Sequence, residues 1–215
     1  MKKFLKSFYR SHRIGLSAGK TLLWIWVKND LPKIKGEIGI DLAGGRMFNK
    51  RFFGTKKYIC VDIDENDLSL GKKNNPDAII INKKIQDFLN EEKKIKANVL
   101  VCFQTMGTNK FFEHNESIEV IKLMYKYLDT GGSMLFNITW IKNIGEIETE
   151  LSTFLDKKFE KINYKYYGAF HKTWKRPLFR FLLFILAYLM YFLPFLRTLF
   201  GLKKERLYYY CHNKL

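Results

Sequence analysis

The stretch Ile38-Gly39-Ile40-Asp41-Leu42-Ala43-Gly44-Gly45-Arg46-Met47 limits the fold of this chain more than any other part of it. A short apolar run ends in an acid and then breaks into a turn of small residues. The chain beyond can wind as a helix. Strand, tight turn and helix in that order build the ligand crevice of an open α/β sheet, at the carboxyl end of its first strand. Gly44 and Gly45 permit positive φ and close backbone approach. Asp41, at the strand end, is expected to point into the crevice.

The pattern recurs downstream. Tyr58-Ile59-Cys60-Val61-Asp62-Ile63 is a second apolar run closing on an acid, and Asp62 lies 21 positions after Asp41. An acid at the tip of the second strand is where such folds hold ribose hydroxyls. Residues 78–81 and 97–103 read as strands three and four. The latter is nearly all apolar, as a strand buried on both faces must be. Residues 133–138, 160–170 and 206–211 read as three more. Between the strands, 46–54 is expected to form a short first crossover helix. Asp64-Glu65-Asn66-Asp67 opens the next helix, with acids at its amino end. Residues 115–128 form an amphipathic helix with Ile118, Ile121, Met124 and Leu128 on one side. A further helix is expected at 147–159.

Together these stretches resemble the class I S-adenosylmethionine-dependent methyltransferases, over about 37–137 and the last strand. In that family the first loop reads acid-x-Gly-x-Gly-x-Gly. Here it reads Asp41-Leu42-Ala43-Gly44-Gly45-Arg46-Met47, keeping the middle glycine as Gly45 and replacing the others by Ala43 and Met47. The family's ribose-binding acid falls on Asp62, and its glycine pair before strand five on Gly131-Gly132. The resemblance implies a Rossmann-like, seven-stranded, mostly parallel α/β sheet with helices on both faces. The last strand is then antiparallel, inserted between strands five and six. It implies S-adenosyl-L-methionine as cofactor, held by Asp41, Ala43, Gly44, Gly45, Met47, Asp62 and Ile63. Residues 82–88 would lie along the adenine, with Ile85, Gln86 and Asp87 nearest the usual pattern. Phe103 and Gln104, ending strand four, would face the cofactor methyl and the acceptor. Methylases of exocyclic base amines carry an Asp/Asn-Pro-Pro-aromatic turn there, and this chain has none. The phosphate loop of nicotinamide enzymes, Gly-x-Gly-x-x-Gly, is absent too.

Methyl transfer from a sulfonium needs a nucleophile aligned with the methyl carbon and the departing sulfur. A general base can assist, and His114 and His171 are the candidates, with Tyr167 behind them. Each histidine has an equally good structural reading: His114 as a polar residue before a helix, His171 as a surface residue beside Lys172. The catalytic residue stays open. Cys60, Cys102 and Cys211 show no metal-site spacing and read as small buried hydrophobes in a reducing compartment. No metal is expected.

The 215 residues carry a net charge of +17, unevenly placed. Residues 1–36 hold 9 basic and 1 acidic side chains, and 157–215 hold 13 and 2, whereas 37–156 hold 16 and 18. A near-neutral core with basic ends points to an anionic surface. Phe4 and Phe8 repeat at helical spacing among lysines and arginines, as in a membrane-surface helix or a lid over the sheet. From 181 to 196 there are 16 consecutive uncharged residues, FLLFILAYLMYFLPFL, with basic residues on both sides. A helix of that length spans about 24 Å, short of the roughly 30 Å bilayer core, and Pro194 interrupts it. A crossing would also separate the last strand from its sheet. The expectation is a monotopic helix or bent hairpin on lipid, against a buried helix or a dimer interface.

The organisation expected is thus a basic aromatic segment (1–36), a cofactor-binding core (37–170), a hydrophobic helical insertion (171–204) and the final strand (205–215). No signal-peptide pattern precedes it, so a cytoplasmic, peripheral location follows. The acceptor expected is small or lipid-linked, such as a quinone precursor or a lipid-linked glycan intermediate. An RNA methyltransferase using the basic ends, or a non-catalytic scaffold of the same fold, are the other readings. Oligomeric state is not legible.

Overall fold

The computed structural model describes residues 17–91, 95–107, 112, 114–139, 144–167, 177–199 and 206–213. Its strands are β1 (Lys35–Leu42), β2 (Gly54–Asp62), β3 (Ile79–Asn82), β4 (Ala97–Met106), β5 (Leu128–Ile138), β6 (Phe159–Tyr167) and β7 (Arg206–Asn213). They form one sheet in the order β3-β2-β1-β4-β5-β7-β6. β3, β2, β1, β4 and β5 run parallel, each to its neighbour. β7 runs antiparallel to β5 and lies between it and β6, as the family pattern implied. The helices are α1 (Ala18–Asp30), α2 (Glu65–Asn74), α3 (Ile85–Asn90), α4 (His114–Lys126), α5 (Ile144–Lys158), α6 (Pro177–Phe192) and α7 (Phe195–Leu199).

Burial follows position in the sheet. Val99, Leu100, Val101 and Cys102 on central β4 are all 0% exposed. Ile79 and Ile80 on edge strand β3 are 46% and 40% exposed, although their run is just as apolar. The order reverses between β1 and β4, and ligands bind in the crevice that opens there. The three cysteines are free and buried. Burial pushes the Cys102 thiol up to about 12, so it stays a neutral hydrophobe.

The first crossover departs from expectation. Residues 46–54 contain no α-helix. Turns lead to one short 3-10 segment at Lys50–Phe52, and β2 begins at Gly54. Within the segment Met47 has φ of 57°, which a right-handed helix does not accept, and the N–H groups of Lys50, Phe52 and Phe53 bond to carbonyls only three residues back. Elsewhere the expected elements are present with shifted ends. α2 begins where its acids predicted. Asp64 is its N-cap, and its Oδ1 accepts the backbone N–H of Asp67 at 2.9 Å.

The chain divides into two compact units, Asp30–Lys165 with Leu207–Leu215, and Met1–Asn29 with Tyr166–Arg206. The first holds most of the sheet. In the second, Trp26 of α1 is fully buried, its ring edge-on to Tyr167 at 5.7 Å and beneath the Arg197 guanidinium at 5.2 Å. The amino-terminal helix and the hydrophobic insertion therefore share one packed unit. Among the described residues no helix is long and apolar enough to cross a membrane. The expected helix around Phe4 and Phe8 lies outside the described residues.

Replacing Asp64 with Ala removes the α2 cap. The expected cost is about 1 kcal/mol of unfolding free energy and a melting temperature lower by about 2–4 °C, read by thermal and urea unfolding.

Candidate functional site

The site begins with a carboxylate under the first loop. β1 and β2 pair so that Asp41 stands beside Cys60 and Gly39 beside Tyr58, which sets these positions on one face of the sheet. Asp41 is 1% exposed. The Tyr58 hydroxyl donates to its Oδ2 at 2.7 Å, and Asn49 Nδ2 donates to Oδ1 at 3.2 Å and Oδ2 at 3.1 Å. Asp41 was expected to open into a crevice. It lies beneath the turn instead, because Asn49 folds back over it. Burial, and then the Asp41 charge, push the Tyr58 hydroxyl far above its ordinary range, so it serves as a fixed donor.

Above this carboxylate the loop takes left-handed backbone at every second residue, at 43, 45 and 47. These are the three positions where the resembling family has glycine. The backbone path survives although two of the three carry side chains. Met47 manages this by turning inward. Its side chain is 2% exposed in a cluster with Tyr58, Cys60, Leu68 and Ala78. Room comes from Gly71 on α2, where a Cβ would sit 3.0 Å from Met47 Cγ. At Gly44 a Cβ would meet Cys60 Sγ at 2.6 Å and Asp41 Cγ at 3.0 Å, so no larger residue fits.

Asp62 closes the loop from β2. Its Oδ2 accepts the Gly45 N–H at 2.8 Å and its Oδ1 accepts the Asp64 N–H at 2.9 Å. Each oxygen keeps a further lone pair for an outside donor. Ile63, beside it, is 61% exposed. The Asp62 carbonyl accepts from Lys83 N and Asn82 Nδ2, both at 3.1 Å, which ties the end of β3 to the end of β2. Ile85 and Gln86 open α3. Ile85 is buried, and Gln86 is half-buried.

The end of β4 is bulged. Cys102 pairs with Phe136 and Met106 with Ile138, so three β4 residues stand against Asn137 alone. Gln104 sits in this bulge with φ of 64°. Its backbone N–H donates to Asn137 Oδ1 at 2.8 Å, and its Nε2 approaches the same oxygen at 3.4 Å. Phe103 is buried, with its ring stacked 6.4 Å from Tyr208. Asn137 is 0% exposed, and among the described residues its Nδ2 has no hydrogen-bond partner. Asn49 Oδ1 is likewise buried without one. Buried polar atoms of this kind mark places where a ligand or water completes the structure.

The sequence reading missed Tyr58, Asn49 and Asn137. Asn137 had a visible signal, as the one polar residue in the run 134–138. Asn49 and Tyr58 had none, since only tertiary packing brings them to Asp41. His114 begins α4. His171 lies outside the described residues. Tyr167 is 2% exposed, its ring edge-on to Trp26 at 5.7 Å. Among the described residues no group of three or more His, Cys, Asp or Glu side chains could hold a metal ion.

No protein-family model and no curated protein matches the sequence. Solved structures do. The plantazolicin methyltransferase BpumL, bound to a pentazolic desmethylPZN analogue and S-adenosylhomocysteine, covers all of this chain and 91% of its own, with a TM-score of 0.58 at 14% identity. An rRNA methylase from Streptococcus thermophilus covers 88% of this chain and 95% of its own, with a TM-score of 0.55 at 12% identity. The N-methyltransferase NodS from Bradyrhizobium japonicum covers 92% and 94%, with a TM-score of 0.55 at 10% identity. At these identities the likeness establishes the fold, which is that of the class I methyltransferases.

Ala43 takes a conformation that costs an L-residue about 1–2 kcal/mol. Ala43→Gly should therefore raise unfolding stability by about 1 kcal/mol in urea titrations, where Ala→Gly is ordinarily destabilising. Met47→Gly relieves the same strain but empties a buried site, and the net should be a loss of about 2 kcal/mol or more.

Proposed function

We propose that this chain is an S-adenosyl-L-methionine-dependent methyltransferase. It acts at the cytoplasmic face of a membrane on a small or lipid-linked acceptor, such as a quinone precursor or a lipid-linked glycan intermediate. The observation that carries the cofactor reading is the loop: all three motif positions are left-handed, and Asp62 is tied to the middle one through the Gly45 N–H.

The residues present fit that cofactor. Asp62 offers free lone pairs on a carboxylate at the tip of β2, the chemistry that holds a ribose diol. Gly45 keeps a side chain away from the Asp62 carboxylate, which allows close approach. Asn49 Oδ1 is a buried acceptor next to the Asp41 charge, suited to the ammonium of an amino acid moiety. Ile63 and Gln86 offer accessible surface along the adenine direction. When bound, the sulfonium supplies an activated methyl group. Gln104 presents its carboxamide at the end of β4, where an acceptor N–H or O–H would be oriented, and Asn137 holds the bulge that places it there. His114 and His171 remain the candidates for proton removal.

The membrane part of the reading is supported by charge and by the uncharged run at 181–196. Phosphate contacts from the basic ends would suit RNA equally, but RNA gives that run no role. The lipid-linked acceptor is therefore preferred.

Calorimetric titration with S-adenosylhomocysteine, in mild detergent, tests the cofactor. Binding in the micromolar range is expected, weakened about tenfold or more by Asp62→Ala as charge-assisted hydrogen bonds are lost. No binding by folded protein would overturn the proposal in favour of a scaffold.

A further inference from the structure

Among the described residues α6 has two apolar faces, one buried and the other exposed. Leu183, Ala187 and Met190 are 1%, 0% and 0% exposed. Phe181, Leu182, Ile185, Leu189 and Phe192 fall within an arc of about 100° on the other side, and they are 38%, 47%, 41%, 46% and 69% exposed. Phe195, in α7, adds a further ring at 64%. The outer face of an ordinary surface helix carries charge. Between Arg180 and Arg197 this one carries none. Phe184, Tyr188 and Phe192 follow one another at helical spacing, with ring centroids 4.7 and 6.4 Å apart.

The break at Pro194 is built rather than incidental. Proline has no N–H, so the carbonyl four residues earlier loses its helical donor. That carbonyl belongs to Met190, and Arg197 Nε donates to it at 3.0 Å. The same guanidinium lies over Trp26. Arg197 thus fixes the bend and is itself occupied. In the sequence the run is flanked by further basic residues, Lys172, Lys175, Arg176 and Arg180 before it and Lys203 and Lys204 after it.

We infer that the uncovered face of α6 and α7 docks flat on an anionic lipid bilayer, with the aromatic and leucine side chains below the headgroups. This rests on the membrane-surface part of the proposed function. Charge selects the occupant. Residues 157–215 hold 13 basic and 2 acidic side chains, which attract anionic headgroups. A second copy would bring another +17 chain against this one and be repelled. Length selects the orientation. The 16 residues of α6 reach about 24 Å against a bilayer core of about 30 Å. Basic residues at both ends are compatible with lying in the interface and not with crossing it.

The test uses the full chain and vesicles of phosphatidylcholine, with or without roughly one-third phosphatidylglycerol. Co-sedimentation with the anionic vesicles is expected, weakened by salt and at least about tenfold weaker on phosphatidylcholine alone. The triple variant Ile185→Ser, Leu189→Ser, Phe192→Ser should lose binding by a similar factor while still binding S-adenosylhomocysteine, since all three side chains are exposed. A second measurement does not depend on that variant folding. Phe192→Cys carrying an environment-sensitive dye should shift to the blue on anionic vesicles, and the three native cysteines are buried and will not compete. Failure of the wild type to bind, retained binding in the triple variant, equal binding to both vesicle types, or an unshifted dye each overturns the inference. So does a lipid-free dimer abolished by the triple variant. Titration with S-adenosylhomocysteine, run separately, shows whether the cofactor reading stands or falls independently.

Discussion

Asp41 takes a carboxylate to a position that is 1% exposed, and the loop above it is arranged around keeping that charge satisfied. Unpaired, a buried carboxylate is costly enough to neutralise or unfold its surroundings. The Tyr58 hydroxyl and the Asn49 side-chain amide are among the donors that satisfy it. Tyr58 comes from β2, so the bond joins two neighbouring strands at their buried ends. Asn49 comes from the crossover, so the chain must return over β1 before entering β2. That return leaves no length for a helix, and it places three left-handed residues in five. Removing Tyr58 or Asn49 would take a donor from a buried carboxylate, and removing Asp41 would leave both donors without their acceptor.

The same logic explains how the loop keeps its path with two non-glycine residues. A third glycine would ordinarily allow the helix and strand to pack closely. In this chain the glycine sits on the helix, as Gly71, and the loop contributes Met47 to the core. The close contact is preserved with the small and large partners exchanged. The strain at Ala43 and Met47 is then offset by burial of Met47 and by the bond from the Ala43 N–H to the Val61 carbonyl at 2.8 Å.

Most strands were legible because apolar runs of four to seven residues, each closed by an acid or a turn, have few other uses. Asp62 was legible because it closes such a run. The first crossover was not, because Phe48, Phe52 and Phe53 follow the loop with basic residues between them, a pattern that suits a helix until φ is known. Asn49, Tyr58 and Asn137 act through partners 8, 17 and 33 positions away. No local pattern encodes such pairings. Gln104 was placed by its position after strand four, but its left-handed backbone and the bulge around it come from the pairing of β4 with β5. The run at 181–196 was read as apolar on all sides, which is true of its composition. Which side is covered became visible only in the fold, where Leu183, Ala187 and Met190 face inward.

The central claim is that the loop after β1 and the tip of β2 form a cofactor cradle held from below by Asp41. Backbone amide resonances of nitrogen-15-labelled protein, followed during addition of S-adenosylhomocysteine, test it most directly. The account predicts the largest shifts at residues 43–47 and 62–64, with the Gly45 amide among them because it donates to the Asp62 carboxylate that would take the ribose. Shifts confined to other parts of the chain, or none at saturating ligand, would contradict it.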